Sequence, residues 1–232
     1  MRYLPDQQFA AKSSKPPILY QGTSYYYVGS LERIYRYDDQ GRLILDKKTA
    51  SDDPSGYGTE NYSYIYAGDK VFKAGTQGND TLILNQLGYA IPSFYLNKKT
   101  IYGYDQAGYL LRRQNLYTTL VQVIKNHNVE KQVNVYESGS DTTQFDYNLN
   151  YPALFDPRAL FNEGRGSTNL LTKSTTRYVY TFSQSNPPAI VSTSYTYLFD
   201  EQKRVTRQIL FQTNTVEGYL PVLTIKSFTY ND

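Results

Sequence analysis

Tyr35-Arg36-Tyr37-Asp38-Asp39-Gln40-Gly41-Arg42-Leu43 is the stretch that decides the fold. Two rings spaced two residues apart point to one face of a strand. The Asp-x-x-Gly that follows suits a type I turn: Asp bonds the backbone ahead of it, and Gly takes positive φ without a Cβ clash. The phrase therefore reads as strand, tight turn, strand, closed by a glycine bulge. It returns as Tyr102-Gly103-Tyr104-Asp105-Gln106-Ala107-Gly108-Tyr109-Leu110, and Asn85-Gln86-Leu87-Gly88 is a further turn with Asn in place of Asp. A degraded copy runs from Tyr195 to Val205, where Lys203 stands in the glycine position. Lysine at positive φ costs about 1–2 kcal/mol, so this last turn is expected to take another form.

Working outward, alternation predicts strands at Ser24–Val28, Leu31–Tyr37, Arg42–Lys48, Glu60–Ala67, Lys70–Lys73 and Thr81–Leu84. Tyr89–Tyr95, Lys99–Tyr104, Tyr109–Tyr117, Val129–Tyr136 and Thr142–Tyr147 follow. Thr172–Phe182, Ile190–Phe199, Val205–Gln212 and Val222–Tyr230 complete the set. Turn signals such as Ser138-Gly139-Ser140-Asp141 and Asn186-Pro187-Pro188 separate them at roughly ten-residue spacing. The expected fold is all-β: one strongly twisted antiparallel meander over residues 18–232, curled into an open or nearly closed barrel-like sheet. Residues 1–17 are polar and end in Pro16-Pro17, which reads as a flexible leader. One segment breaks the rhythm. Asp156 as N-cap and Pro157 at the first helical position predict a short helix over Asp156–Asn162. Its apolar neighbours Leu154, Phe155, Leu160 and Phe161 suit packing over the sheet or plugging an open end. A binding loop with Arg158 and Arg165 as anion contacts is the alternative.

Composition narrows the function classes. The 232 residues hold 26 Tyr, 10 Phe and no Trp, a composition that suits half-buried pleated surfaces. Net charge is +3 from 24 basic and 21 acidic residues scattered along the chain, so nucleic-acid binding lacks its electrostatic footprint. No apolar run approaches the ~18 residues of a spanning helix. Cysteine is absent, which excludes disulfides and thiolate metal sites.

The aromatic residues recur with period two at Tyr35/Tyr37, Tyr62/Tyr64/Tyr66, Tyr102/Tyr104, Tyr178/Tyr180/Phe182, Tyr195/Tyr197/Phe199 and Phe228/Tyr230. Neighbouring strands would stack them into cross-strand ladders. Such a stripe is either a core built from Tyr or an aromatic platform for a glycan or apolar ligand. Catalytic signals are lacking. The single histidine, His127, falls in a turn-like Asn-His-Asn, with no second His for a metal and no nucleophile elbow. Asp38/Asp39 and Asp52/Asp53 are paired carboxylates, but at hairpin tips, where they stay exposed and ionised. No catalytic, metal or cofactor residue is therefore assigned, no enzyme activity is expected, and the ligand-binding residues are unknown. An outer-membrane barrel also alternates, yet charges within Leu31-Glu32-Arg33-Ile34-Tyr35-Arg36 and Leu111-Arg112-Arg113-Gln114 argue against a lipid-facing band.

The hairpin phrase resembles the Tyr-Asp repeats of Rhs-type shells. From Ile18 to Asp232 the chain looks more like a family of uncharacterised exported lipoproteins of Bacteroidetes. That likeness rests on Tyr37–Leu43, Leu84–Tyr89, Gly166–Lys173, Tyr195–Arg207 and Phe228–Tyr230. It implies an extracytoplasmic, outer-membrane-anchored protein, held through a lipidated Cys that these residues do not include. It also implies O-glycosylation signals at Asp80-Thr81-Leu82 and Asp141-Thr142-Thr143. The expected function is a non-catalytic cell-envelope domain that binds a glycan, an apolar ligand or an envelope protein. A structural or adhesive surface module and a glycan-processing enzyme are the rivals.

Overall fold

The computed structural model describes residues 1–10, 13–51, 59–76, 78–91, 100–154, 156, 164–180 and 188–230. Among them lie strands β1 (Arg2–Leu4), β2 (Ile18–Tyr20), β3 (Thr23–Tyr37), β4 (Leu43–Ser51), β5 (Glu60–Ala67) and β6 (Lys70–Gly75). β7 (Asp80–Leu84), β8 (Ala90–Ile91), β9 (Ile101–Tyr104), β10 (Leu110–Gln114), β11 (Thr118–Lys125) and β12 (Asn128–Tyr136) follow. β13 (Gly139–Pro152), β14 (Asn169–Tyr180), β15 (Ala189–Phe199), β16 (Val205–Asn214) and β17 (Val222–Ser227) complete a single sheet, accompanied by one 3-10 turn at Gln7–Phe9.

The deciding phrase folds as its chemistry dictates. Asp38 Oδ1 accepts from the Gln40 and Arg42 amides at 3.0 and 2.9 Å, and Gly41 sits at φ 73°. The Asn85 and Asp105 turns repeat these bonds, with Gly88 at 81° and Gly108 at 87°. The expectation for the fourth copy is overturned. Asp200 Oδ1 accepts from Gln202 and Arg204 at 3.0 and 2.8 Å, and Lys203 itself takes φ 63°. Two side-chain features hold that turn despite the strained residue. The Arg204 guanidinium bonds Asp200 Oδ2 at 2.9 Å and lies 4.9 Å from the Tyr230 ring centre. The Tyr230 hydroxyl in turn donates to the Val205 carbonyl at 2.9 Å. Arg42, Asp38, Tyr66 and the Leu43 carbonyl form the same arrangement at the first turn. Lys203→Gly is accordingly expected to stabilise the protein by about 1 kcal/mol, read as a raised urea midpoint with an unchanged m-value.

Consecutive strands pair antiparallel from β3 through β8 and again from β9 through β17. The two runs are joined by β1, which lies between β3 and β17. The far ends of the ladder also meet. The Asn85 side chain donates to the Tyr104 hydroxyl at 2.9 Å, and Gly108 stands against Leu87. The sheet thus curls round on itself. Among the described residues no ladder pair joins β8 to β9, so it stays short of a closed barrel.

Residues 1–17 depart from the flexible-leader expectation. Arg2 and Tyr3 pair with Thr224 and Leu223 on one side and with Gly29 and Tyr27 on the other. Tyr3, Tyr25, Tyr27, Leu223 and Ile225 form a buried cluster, with Ile18, Tyr20, Ile209 and Phe211 packed against it. Lys15 lies over the Tyr27 ring at 4.7 Å. The segment before β3 therefore completes the sheet and covers an apolar patch. A strand missing from the sequence reading also appears, since Tyr109–Tyr117 is in fact β10 followed by a turn into β11. Asn115 makes that turn, its side-chain oxygen accepting from the Tyr117 and Thr118 amides. Beyond Ile91, the rest of the Tyr89–Tyr95 strand lies outside the described residues.

The helix expected over Asp156–Asn162 also lies outside the described residues, apart from Asp156. The described flanks of that segment cross one end of the sheet. The Arg165 amide donates to the Gly108 carbonyl at 2.9 Å, and its guanidinium lies 5.5 Å from the Tyr109 ring centre. Ser167 bonds both the Val129 amide and the Tyr147 hydroxyl.

Candidate functional site on the tyrosine-lined face

Because the ladder returns on itself, one face of the sheet is turned inward, and the burial pattern says which. Along β5, Tyr62, Tyr64 and Tyr66 are half-buried or buried, whereas Asn61, Ser63 and Ile65 are exposed. Register carries that inner face from strand to strand, since residues directly opposite share a side. Tyr35 faces Asp46, which faces Tyr62. In the other run, Tyr102, Arg113, Leu120, Asn134, Asp141 and Tyr178 form one unbroken cross-strand row. Thr118, Tyr136, Gly139 and Tyr180 make the next row toward the strand ends. Gln122, Gln132, Thr143 and Thr176 make the next row inward. The Tyr3 cluster sits on the opposite side. Its Phe211 faces Ser194, while the inward Tyr195 faces Leu210.

The inner face is therefore polar as well as aromatic. On β3 to β6, Arg33 approaches the buried Asp46 at 3.9 Å and donates to the Tyr35 hydroxyl. Lys48 pairs with Glu60 at 2.9 Å, and Lys73 lies 3.8 Å from the Tyr62 ring centre. On β12 to β14, Asp141 Oδ1 accepts from the Asn134 side chain at 2.8 Å, and Oδ2 accepts from the Tyr136 hydroxyl at 2.6 Å. Burial, followed by that hydrogen bond, pushes the Tyr136 hydroxyl up to about 12. It therefore stays protonated and keeps donating. Burial and then the Asp141 charge also raise Tyr178. Gln122 donates to Gln132 at 2.9 Å, and the Thr143 and Thr176 hydroxyls lie 2.9 Å apart. Such a surface can stack a flat guest and offer it hydrogen bonds. Its carboxylates lie beside cations or donors: Asp46 beside Arg33, Glu60 beside Lys48, and Asp141 beside Asn134 and Tyr136.

The sequence-stated candidates fall elsewhere. His127 is an exposed turn residue at φ 59°, and its contribution is a backbone carbonyl that accepts from Tyr109 at 2.8 Å. Asp38 is occupied by its own turn, and the Arg42 hydrogen bond holds its carboxyl below the usual range. Arg165 is committed to the Asp105 turn, away from the inner rows. Asp52, Asp53 and Arg158 lie outside the described residues. Thr81 is exposed and Thr142 half-buried, while Asp141 of the second glycosylation signal is committed to the inner network. Among the described residues no group of three or more His, Cys, Asp or Glu side chains could hold a metal. The residues that sequence reasoning missed are Arg33, Asp46, Glu60, Arg113, Asn134 and Asp141. For Asp141 the sequence placed a turn over 138–141, whereas the chain reverses just before Gly139 and Asp141 lies inside β13.

The outer face carries a different pattern. One of its rows is Arg112, Val121, Val133, Thr142, Arg177 and Ile190, and another contains Asp146, Lys173 and Ser194. Lys47, Lys70, Lys131 and Arg207 are exposed as well. A Lys or Arg at the middle of a lipid-facing band costs about 2–4 kcal/mol, and the same face also exposes Ile34, Ile65, Phe72, Val121, Val123, Val135 and Val179. Among the described residues no helix is long and apolar enough to cross a membrane.

No family model matches the chain, and no curated protein does. Among solved structures, the chain is similar to a porin-like protein from Bacteroides uniformis. The identity is 15%, the alignment covers 87% of this chain and 93% of that one, and the TM-score is 0.52. That likeness shows the fold: a long antiparallel meander curled round on itself.

Proposed function

We propose that the protein is a non-catalytic binding module of the cell envelope that takes a polar ligand on its inner face. The observation that carries this reading is the state of the inward tyrosines. Tyr35, Tyr37, Tyr62, Tyr66, Tyr102, Tyr104, Tyr178, Tyr195 and Tyr197 are half-buried, whereas Tyr64 is sealed in a cluster with Leu43, Val71, Leu82 and Ala90. A sheet whose interior served only as a core would bury them fully and leave few ionised groups among them. Here rings alternate with Arg33, Asp46, Lys48, Glu60, Arg113 and Asp141, which suits a hydrated ligand better than an apolar one. The envelope location draws on the resemblance to exported Bacteroidetes lipoproteins, and the Bacteroides origin of the porin-like neighbour agrees with it. Anchoring through a lipidated residue upstream belongs to the same proposal.

The test is a binding screen of the intact chain against soluble oligosaccharides, detergent-solubilised lipids and envelope extracts. Saturable binding of a polar ligand, with no chemical change to it on prolonged incubation, is the expected result. Turnover of a bound oligosaccharide, or binding confined to apolar ligands, would overturn the reading.

A further inference from the structure

Independently of the inner face, we infer that one end of the curled sheet docks on a lipid surface. The tips of the β10–β11 and β16–β17 turns enter the bilayer interface, and arginines behind them meet anionic headgroups. The two ends of the sheet carry opposite chemistry. At one end the reversals repeat the deciding phrase, built on Asp38, Asn85, Asp105 and Asp200 and bearing Arg42, Lys203 and Arg204. At the other end β10 passes into β11 through Asn115-Leu116-Tyr117, and β16 into β17 through Val216-Glu217-Gly218-Tyr219-Leu220. Leu116 is 80% exposed, Tyr117 55%, Tyr219 65% and Leu220 45%.

Turn tips usually take Gly, Asn, Asp, Ser or Pro for backbone reasons. Here those needs are met from beside the apolar residues. The Asn115 amide donates to the Thr118 carbonyl at 2.9 Å, and its side-chain oxygen accepts from the Tyr117 and Thr118 amides. In the second turn the Val216 amide bonds Asn214 Oδ1, the Tyr219 amide donates to the Val216 carbonyl, and Gly218 takes φ 83°. Both turns are thus closed by their own backbone and by asparagine, and they hold Leu116, Tyr117 and Tyr219 out in water. Thr215 ties the second turn to the start of β15, since Ile190 and Thr215 exchange hydrogen bonds in both directions.

What lies behind the tips selects the partner. On the outer face the row nearest them is Ile101, Gln114, Thr119, Val135, Ser140 and Val179, which contains no ionised group. The next row, about 7 Å along the strands, brings Arg112 and Arg177, and the one after it Lys131. Carboxylates enter this part of the face only beyond Lys131, with Glu130 and Asp146. Apolar tips followed by cations match the layering of a bilayer interface. Apolar groups there lie about 5–10 Å into the headgroup boundary, tyrosine favours that depth, and nearby arginines are drawn to anionic lipid. Tips on separate hairpins also suit a fluid surface, which conforms to each of them. Glu137 and Glu217, the ionised groups at the described tips between β10 and β17, oppose deeper entry. The contact is therefore shallow and reversible.

The test exploits the absence of tryptophan from the chain. Leu116→Trp and Tyr219→Trp each place a single fluorophore at one tip of the full chain, and Gln40→Trp places one at the opposite end. With vesicles of mixed phosphatidylethanolamine and phosphatidylglycerol, both tip variants are expected to shift to the blue and to be quenched by brominated acyl chains. Gln40→Trp should do neither. Leu116→Asp is expected to weaken vesicle binding about tenfold, and Arg177→Gln about fivefold. Both residues face solvent, so unchanged melting curves should confirm the fold. Absence of vesicle binding, binding that Leu116→Asp does not weaken, or an equal blue shift for Gln40→Trp would each overturn the proposal. Self-association abolished by Leu116→Asp, with no vesicle binding, would assign the tips to a protein contact and overturn it equally. The inner-face reading stands or falls separately, on its own ligand screen.

Discussion

Tyr3→Ala is expected to cost about 3–5 kcal/mol of stability, the range for deleting a large buried aromatic side chain. Tyr3 is 3% exposed and packs edge-on against Tyr27 with ring centres 5.7 Å apart. It also sits in β1, which among the described residues bridges β3 and β17 and so links the two runs of the meander. The loss should therefore appear beyond the immediate cavity. Hydrogen exchange at the β1-facing amides of β3 and β17 is expected to quicken more than exchange within β13 and β14. A urea titration checks the magnitude. Leu19→Ala supplies the control, because Leu19 on β2 is 73% exposed and its truncation should move the midpoint little. A change of under about 0.5 kcal/mol for Tyr3→Ala would mean that residues 1–17 are the flexible leader their composition suggests.

The contrast between that composition and the observed strand shows what kind of information the sequence carries. Local reversals are legible. Each Asp or Asn turn satisfies its own backbone within five residues, so its chemistry is written in one phrase. Even the Lys203 turn keeps the form of the others, because Asp200 and Arg204 hold it from within the same five residues. The face occupied by the tyrosines is also legible, since period two is a local property. What cannot be read locally is who pairs with whom at long range. β1 is three residues long, is followed at once by Pro5, and finds its partners more than 20 and more than 200 positions away. The inner rows fail for the same reason. Arg113, Asn134, Asp141 and Tyr178 become neighbours only through register across five strands. β11 is an intermediate case: Asn115 did offer a turn signal, but no glycine or proline marked it.

Alkaline pH should unfold this protein through its tyrosines. Nine of them, Tyr3, Tyr25, Tyr37, Tyr66, Tyr109, Tyr136, Tyr147, Tyr178 and Tyr197, ionise less readily in the folded chain, with burial the leading cause for each. Tyr37 and Tyr136 are both pushed up to about 12. A phenol whose folded value lies above its unfolded one holds its proton more tightly in the native state. Its contribution to stability is fully present below the unfolded value near 10, and is lost as pH rises through the folded value. Because all nine move in the same direction, their losses add as pH rises above about 10, and for Tyr37 and Tyr136 the loss runs to about pH 12. The expected observation is a cooperative rise in phenolate absorbance near 295 nm that coincides with loss of the far-ultraviolet strand signal. Independent titration, with the strand signal intact after the phenolate signal is complete, would show that these hydroxyls are solvated. Tyr136→Phe removes one raised phenol and should make stability less steep against pH in that window. The same substitution deprives Asp141 of its closest donor, so it should also lower stability at neutral pH by about 1–3 kcal/mol, the cost of leaving a buried acceptor short of a partner.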